Sequence, residues 1–589
     1  MVSLNINNRT VSVQEGTTIL DAARLNNIKI PTFCYLENIQ KMGSCRLCVV
    51  EVEGQRNLMA SCMVEVKEGM KVFTNTERVR NARKMIYKLI LSDHPKDCLK
   101  CVRNQKCELQ QLEEMIQLDE REIIGEKSKT VIDKGNPSVF RDNAKCVLCR
   151  RCVTACNDIQ SVGIINIQNR GFKSNVGTTA GLPLNEISCT YCGQCTVVCP
   201  VGALNEVDAI SKVWKALADK KKRVIIQTAP AVRVALGEEF GYEPGTIVTG
   251  KMVAAMKHLG FHDIFDTNFA ADLTIIEEGN EFLGRVRKLL SGNKPSFPMI
   301  TSCSPGWIKY VEHYFPDQLQ HLSSCKSPHM MLGALAKTYY AEKIGVKPED
   351  IFVVSVMPCT AKKFEVTRDE MFIDGQPNVD AVLTTREFAR MIKEAGIDFT
   401  SLPDEQFDNP LGLSTGAADI FGVTGGVMEA AIRTVYEIIT GREVPFEGLH
   451  VTPIEGLDRI KTADLKFENV LPEWKELEGF VLKVAVTSGL AGAKILMDEI
   501  AAGKSQYHFI EVMGCPGGCI TGGGQPRPVN NEIRIKRMEA IYREDDNKPI
   551  RKSHENPFVQ KLYEDFLGQP NGEKSHRLLH THYVKRKKY

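Results

Sequence analysis

"CVLCRRCVTACN", residues 146–157, and "CTYCGQCTVVCP", residues 189–200, are two copies of one pattern, C-x2-C-x2-C-x3-C. Three closely spaced thiols supply three corners of an iron–sulfur cube, and in paired runs the fourth cysteine of each crosses to the other cube. On that reading Cys146, Cys149, Cys152 and Cys199 hold one [4Fe–4S] cluster. Cys189, Cys192, Cys195 and Cys156 hold the second. Pro200 follows the second run, whereas Asn157 follows the first, a difference that alters a turn and no ligand.

Upstream the thiols continue. The chain has 20 cysteines in 589 residues, and fifteen of them precede Pro200. The start, "MVSLNINNRTVSVQEG", has no basic region followed by an apolar run, and no apolar stretch reaches the ~20 residues of a membrane span. A cytoplasmic location is therefore expected, where thiols stay reduced and metal clusters are a better reading than disulfides. "HPKDCLKCVRNQKC" gives His94-x3-Cys98-x2-Cys101-x5-Cys107. Three cysteines and an imidazole suit a structural zinc as well as a cube. Cys34, Cys45, Cys48 and Cys62 form the first group, flanked by "VSLNINN", "RTVSVQEG" and "CVVEVEG", which alternate like short strands. "GTTILDAARLNNI" reads as a capped helix, and four thiolates on such a small α/β unit suit a [2Fe–2S] centre. Clusters in series make an electron conduit, and a conduit needs a terminus.

The remaining 389 or so residues hold five cysteines, and apolar strands alternate there with amphipathic helices. "KRVIIQTAPAVRVALGEEFG", "IFVVSVMPC", "AVLTTREFARMIKEAG" and "LKVAVTSGLAGAKILMDEI" predict an α/β domain with largely parallel sheets. No P-loop and no G-x-G-x-x-G after a strand is present, which argues against a nucleotide or flavin site in this chain. Glycines crowd Cys515 and Cys519 in "FIEVMGCPGGCITGGGQP", residues 509–526. Such a run implies special backbone angles or the close approach of a bulky group. With 75 basic and 73 acidic residues the chain is nearly neutral, so neither nucleic acid nor a membrane surface is an expected partner.

Together with "ITSCSPGW" and "VMPCTAKKFE", that glycine-rich segment resembles the three signature segments of [FeFe]-hydrogenases, in order. The first two cysteine groups resemble the N-terminus of complex I large subunits and related hydrogenases, and residues 146–200 the two-cluster bacterial ferredoxins. The resemblance covers essentially the whole chain. It implies a β-grasp [2Fe–2S] domain over 1–78, a His/Cys3 [4Fe–4S] domain over 79–137 and a two-[4Fe–4S] ferredoxin domain over 138–208. An α/β H-cluster domain over 209–527 follows, then a helical tail like the family's small subunit over 528–589, ending in an exposed basic segment.

The implied H-cluster is a [4Fe–4S] cube joined through one cysteine to a diiron unit with CO, CN⁻ and a bridging dithiolate amine. Cys359, Cys515 and Cys519 match cube ligands, with Cys519 as the bridge. Lys362 matches the residue that bonds a cyanide. Met357, Met513 and the Pro230–Ala231 pair match pocket-lining positions, with Ala231 standing where many relatives have serine. Cys303, Glu278, Ser323, Glu281 and Arg285 match a proton path. One departure matters. Relatives carry T-S-C-C-P-x-W, whose first cysteine relays protons and whose second ligates the cube, but here Ser304 follows Cys303. Cys303 could itself become the ligand, or remain the relay while another thiol ligates. Cys325 stands where many relatives have alanine, and the expectation is that it is the fourth cube ligand.

The implied reaction is H2 ⇌ 2H⁺ + 2e⁻. The implied electron partners are a flavin- and NAD(P)-binding subunit with a small [2Fe–2S] subunit, ferredoxin, or both. A stand-alone ferredoxin-dependent enzyme is the alternative. A non-catalytic sensory or cluster-assembly relative would share the cysteines but has no need of the proton path.

Overall fold

The computed structural model describes every residue except 38, 40, 41, 119–124, 129, 130, 446–459 and 589. The N-terminal sheet runs in the order Arg9–Val13, Val2–Ile6, Lys71–Phe73, Val49–Val52, Met59–Ala60. Alternation sends Leu4, Ile6, Val11 and Val13 inward. The helix Ile19–Leu25 closes over them, its Thr18 hydroxyl accepting from the Asp21 backbone N–H as an N-cap. Cys48 and Cys62 are buried in the same core, so the first metal group sits on a rigid platform.

Helix Glu77–Asp93 leads away and stops at His94. Beyond Cys107, which precedes helix Glu108–Ile116, a three-stranded antiparallel sheet orders Leu204–Glu206, Val139–Asp142 and Ile132–Asp133. That sheet crosses the division expected at 137/138. Strand Ile132–Asp133 pairs with Val139–Asp142 and so belongs to the two-cluster unit by its hydrogen bonds.

The large C-terminal part is built on two four-stranded sheets. In the first, Asp263–Asp266, Arg223–Thr228, Ile351–Met357 and Ala381–Thr384 are all parallel. In the second, Met299–Ile300, Phe509–Met513 and Val481–Ser488 are parallel, with Ile460–Lys466 as an antiparallel edge. Their parallel strands are buried, as near-continuous apolar strands require, while the antiparallel edge Ile460–Lys466 buries only Leu465. The carboxyl ends of four of these strands open into the sequence signatures. Thr228 leads to Pro230–Ala231, Ile300 to Cys303, Met357 to Cys359, and Met513 to Cys515. Parallel α/β sheets place their sites at this end of the strands.

The last 60 residues are not a separate unit. Helix Asn531–Asn547 sinks Arg537 to zero exposure, where it donates to both carboxylate oxygens of Glu238 at 2.7 Å and to the Ile520 carbonyl at 2.7 Å. The basic terminus leaves Lys585, Lys587 and Lys588 exposed, as expected, and is tied down as a strap at Arg586. Arg586 Nε donates to the fully buried Glu312 at 2.6 Å and the Val584 N–H to the same carboxylate at 3.1 Å. A buried carboxylate needs such partners, and Arg368, at 2.6 Å, supplies the rest.

Candidate active site

The thiols of the N-terminal third fall into groups set by the local backbone. Cys48 Sγ lies 3.4 Å from Cys62 Sγ, the Phe33 N–H donates to Cys45 Sγ at 3.4 Å, and Cys34 bonds both Cys45 and Cys62. His94 Nδ1 is buried with no hydrogen-bond partner among the described residues. A buried polar atom left unpaired calls for a ligand, and burial pushes its pKa down, favouring the neutral imidazole that binds metals. Cys146, Cys149, Cys152 and Cys199 line one hollow. Cys156, Cys189, Cys192 and Cys195 line another. The donor sets and hollows therefore fit iron–sulfur clusters.

In the large domain, Cys515 has Cys359, Cys192 and Cys519 as its charged neighbours. Cys192 belongs to the second ferredoxin-type run, so that run abuts the central thiols. The glycines explain how. A Cβ on Gly523 would lie 2.6 Å from the Cys192 carbonyl and 2.8 Å from Gly193 Cα, and one on Gly522 2.2 Å from the Pro358 carbonyl. Gly523 lets backbone meet backbone across the two domains and Gly522 within the large one, rather than only admitting a bulky cofactor as their sequence suggests. Gly517 and Gly518, at φ +85° and +96°, supply the turn that swings Cys519 back beside Cys359. Thr196 Oγ1 and Arg386 Nη2 both donate to the Gly523 carbonyl, at 2.9 and 2.8 Å.

Arg386 also binds Glu206 at 2.5 Å, and Arg390 reaches the same carboxylate at 2.8 Å. Burial opposes a charge on Glu206, but Arg386, Arg390 and Arg527 outweigh it and hold the carboxyl well below its usual range. The joint is thus locked by a charge cluster that sequence reasoning missed. Glu206 and Arg386 lie 180 residues apart, and no local pattern links them.

Lys362 is buried, and its ammonium donates to the Cys303 carbonyl at 3.0 Å and to Glu365 at 2.8 Å. His329 Nε2 lies 2.7 Å from the same Glu365 oxygen. Burial alone would raise the Glu365 pKa, but Lys362 and His329 bring it down to about 2. An ammonium has three donors. Two are spent on fixing Lys362, leaving one for an anionic ligand. Glu365, three residues on in the same helix, was a legible partner; His329 was not. Ala231, Met513, Cys303 and Cys519 share one apolar cluster, and the Ala231 carbonyl accepts from Gln525 Nε2 at 2.8 Å. Met357, 3% exposed, ends its strand beside Pro358, and Pro230 is buried in the turn after Thr228.

Helix Thr267–Leu290 carries Glu278, Glu281 and Arg285 at intervals of three and four, one face of the helix. Glu278 lies close to Cys303 at one end and bonds the Ser323 hydroxyl at the other. Ser323 Oγ donates to Glu281 at 3.1 Å, and Arg285 donates to the other oxygen of Glu281 at 2.7 Å. Burial first, then the charges of Glu281 and Glu511, push the Glu278 pKa up to about 8. The five residues form one line from the Cys303 thiol to the Arg285 guanidinium.

Cys325 is elsewhere. Its sulfur lies within 4.8 Å of the nearest ligand atoms of Glu281 and His580, and its charged neighbours are Glu281, Glu278 and Glu277. Cys359, Cys515 and Cys519 form their own group. Cys325 is expected as the fourth cube ligand, but the segment Leu322–Cys325 runs beside Ile300 and under His580, which turns the thiol toward the long helix.

Among known families, the iron only hydrogenase large subunit, C-terminal domain, matches residues 222–523, and the iron hydrogenase small subunit matches 531–586. A 2Fe-2S iron-sulfur cluster binding domain matches 1–77, the NADH-ubiquinone oxidoreductase-G iron-sulfur binding region 83–122, and a 4Fe-4S dicluster domain 145–203. The chain is 51% identical over the full length of both to the NADP-reducing hydrogenase subunit HndD of Solidesulfovibrio fructosivorans. It is 39% identical to iron hydrogenase 1 of Clostridium pasteurianum, covering 99% of this chain and all of that one. Among solved structures, a variant of [FeFe]-hydrogenase HydA1 from Chlamydomonas reinhardtii is 42% identical, with TM-score 0.59, over 65% of this chain and all of that one.

Proposed function

The chain belongs to the [FeFe]-hydrogenase family, and from that premise we propose how its residues divide the work of H2 ⇌ 2H⁺ + 2e⁻. An H-cluster bound at Cys359, Cys515 and Cys519 supplies the two-electron chemistry of H2; the chain supplies wires for electrons and protons. The observation that carries this division is the seating of Cys192 against Cys515, which brings the last accessory cluster site to the edge of the central one. Electrons pass among the sites of His94 and the cysteines between Cys34 and Cys199.

Protons pass along Cys303, Glu278, Ser323, Glu281 and Arg285. Glu278, neutral at pH 7, can donate its proton toward Ser323 and, once ionised, take one from Cys303, and Ser323 accepts on one lone pair while donating to Glu281. Lys362 anchors an anionic ligand and is itself anchored by Glu365. Met357, Met513, Pro230 and Ala231 wall the pocket and exclude water. We take the domain divisions as those of the family, with the second boundary moved ahead of Ile132.

For the electron acceptor we propose a flavin- and NAD(P)-binding partner subunit, a small [2Fe–2S] subunit, and ferredoxin, in a cytoplasmic complex. The similarity to a subunit of an NADP-reducing enzyme supports it. So do Leu99, 91% exposed beside the exposed Cys98, and the exposed Met85, Leu89 and Val102, apolar surface of a kind that partners cover. Among the described residues no helix is long and apolar enough to cross a membrane. The full chain, matured with the diiron unit, should evolve H2 from a reduced low-potential dye with no nicotinamide present; fully loaded protein that does not would overturn the catalytic reading. Flavin in the native assembly, with a mass well above that of one chain, is the expected result for the complex. A flavin-free assembly of this chain alone would support the stand-alone enzyme.

A further inference from the structure

With Cys325 turned away and Cys303, which lies between Cys519 and Glu278, kept as the proton relay, the central cube has three thiol donors and one open corner. We propose that Ser304 fills it through its Oγ, an oxygen ligand in place of the family's cysteine; this rests on the H-cluster reading above. Three features of the structure carry it. A Cβ on Gly514 would lie 2.6 Å from Ser304 Oγ, so the serine oxygen rests against the residue that precedes Cys515. A Cβ on Gly306 would lie 3.6 Å from both Cys192 Cβ and Ala361 Cβ, so the turn after Ser304 is wedged between the Cys192 loop and the loop that carries Cys359. Ser304 thus sits beside the residue before Cys515, at the start of a turn held between the Cys192 and Cys359 loops.

The third feature is a hydroxyl with nothing else to do. Ser304 stands at the N-cap of helix Pro305–Tyr314, where a serine oxygen normally accepts a first-turn N–H, yet it makes no capping bond. Its carbonyl accepts from the Ile308 N–H at 3.0 Å, but among the described residues its hydroxyl makes no hydrogen bond, although the residue is only half-exposed. On binding, the O–H bond breaks, the proton leaves to solvent and an Fe–O bond forms with no change of oxidation state. Alkoxide is a harder and stronger donor than thiolate, so it disfavours the electron-rich reduced cube.

The test uses the full chain carrying its clusters but not the diiron unit. The cube's reduced-state EPR signal is identified as the one that Cys359→Ala abolishes. Ser304→Cys, which restores the donor found in relatives, should keep the iron content, change that signal and raise its midpoint potential. Ser304→Ala should alter the same signal and lower iron by up to about four atoms per chain. Cys325→Ala should leave iron and signal as in the wild type. A signal and potential unmoved by Ser304→Cys, or a cube lost in Cys325→Ala, would overturn the serine ligand alone. A wild-type chain without this signal would overturn the H-cluster reading with it.

Discussion

Glu278→Gln separates proton conduction from everything else this domain does. The side chain is 3% exposed and its pKa is about 8, so at pH 7 the protonated form outnumbers the ionised by about ten to one. Glutamine keeps the size and the hydrogen bonds of that neutral acid, so folding and cluster content should hold. It cannot pass a proton on. Loss of one positioned proton-transfer group costs about 10²–10⁴ in rate, or about 3–5 kcal/mol of barrier, and dye-driven H2 evolution should fall by that factor.

The same substitution has a signature in stability. An unfolded glutamate titrates near ~4.3 while the native one titrates near 8. Between those values the unfolded chain has released a proton that the native chain retains. Native stability from this group therefore falls as pH rises, by about 1.4 kcal/mol per unit, until Glu278 ionises. Glutamine removes that dependence, so the melting temperature of Glu278→Gln relative to wild type should be higher at pH 8 than at pH 5. A variant with full iron and more than about a tenth of wild-type turnover would show that protons bypass Glu278. A melting difference independent of pH would show that the carboxyl is not held neutral.

Three other substitutions test separate parts of the structure. Glu206→Gln leaves Arg386, Arg390 and Arg527 buried without their anion, which should cost about 3–5 kcal/mol and show as a lowered melting temperature and slower electron transfer from the accessory clusters. His94→Ala should remove the iron of one accessory cluster while His94→Cys keeps it, by metal analysis; zinc at this position in the wild type would refute the cluster assignment. Removing residues 581–589 strips Arg586 and the Val584 N–H from buried Glu312 and the Tyr583 hydroxyl from the Ser323 carbonyl. It should lower the melting temperature and turnover together, and unchanged values for both would mean that the strap is idle.

Spacing grouped the accessory cysteines, because cluster ligands on one loop must be close in sequence. The repeats at 146–157 and 189–200 also propose which cysteine crosses between cubes, and Cys199 and Cys156 line the cavities of the opposite runs. Strand and helix alternation likewise defined the parallel sheets, and the signatures at their carboxyl ends were legible as motifs. What local sequence could not contain is the direction of a side chain held by remote segments. Cys325 looked like a replacement ligand because it is a thiol near a missing thiol, yet its orientation depends on pairing with His580, 255 residues away, and on the long helix beneath it. The glycines around Cys515 looked like room for a cofactor, but Gly522 and Gly523 are filled by the backbones of Pro358, Cys192 and Gly193. The basic terminus reads as solvated, and its lysines are, but the sequence does not show that Arg586 ties it to buried Glu312. Metal ligation is written in short intervals; orientation, charge compensation and domain docking are settled only when distant segments pack, because burial makes each depend on partners the local sequence does not name.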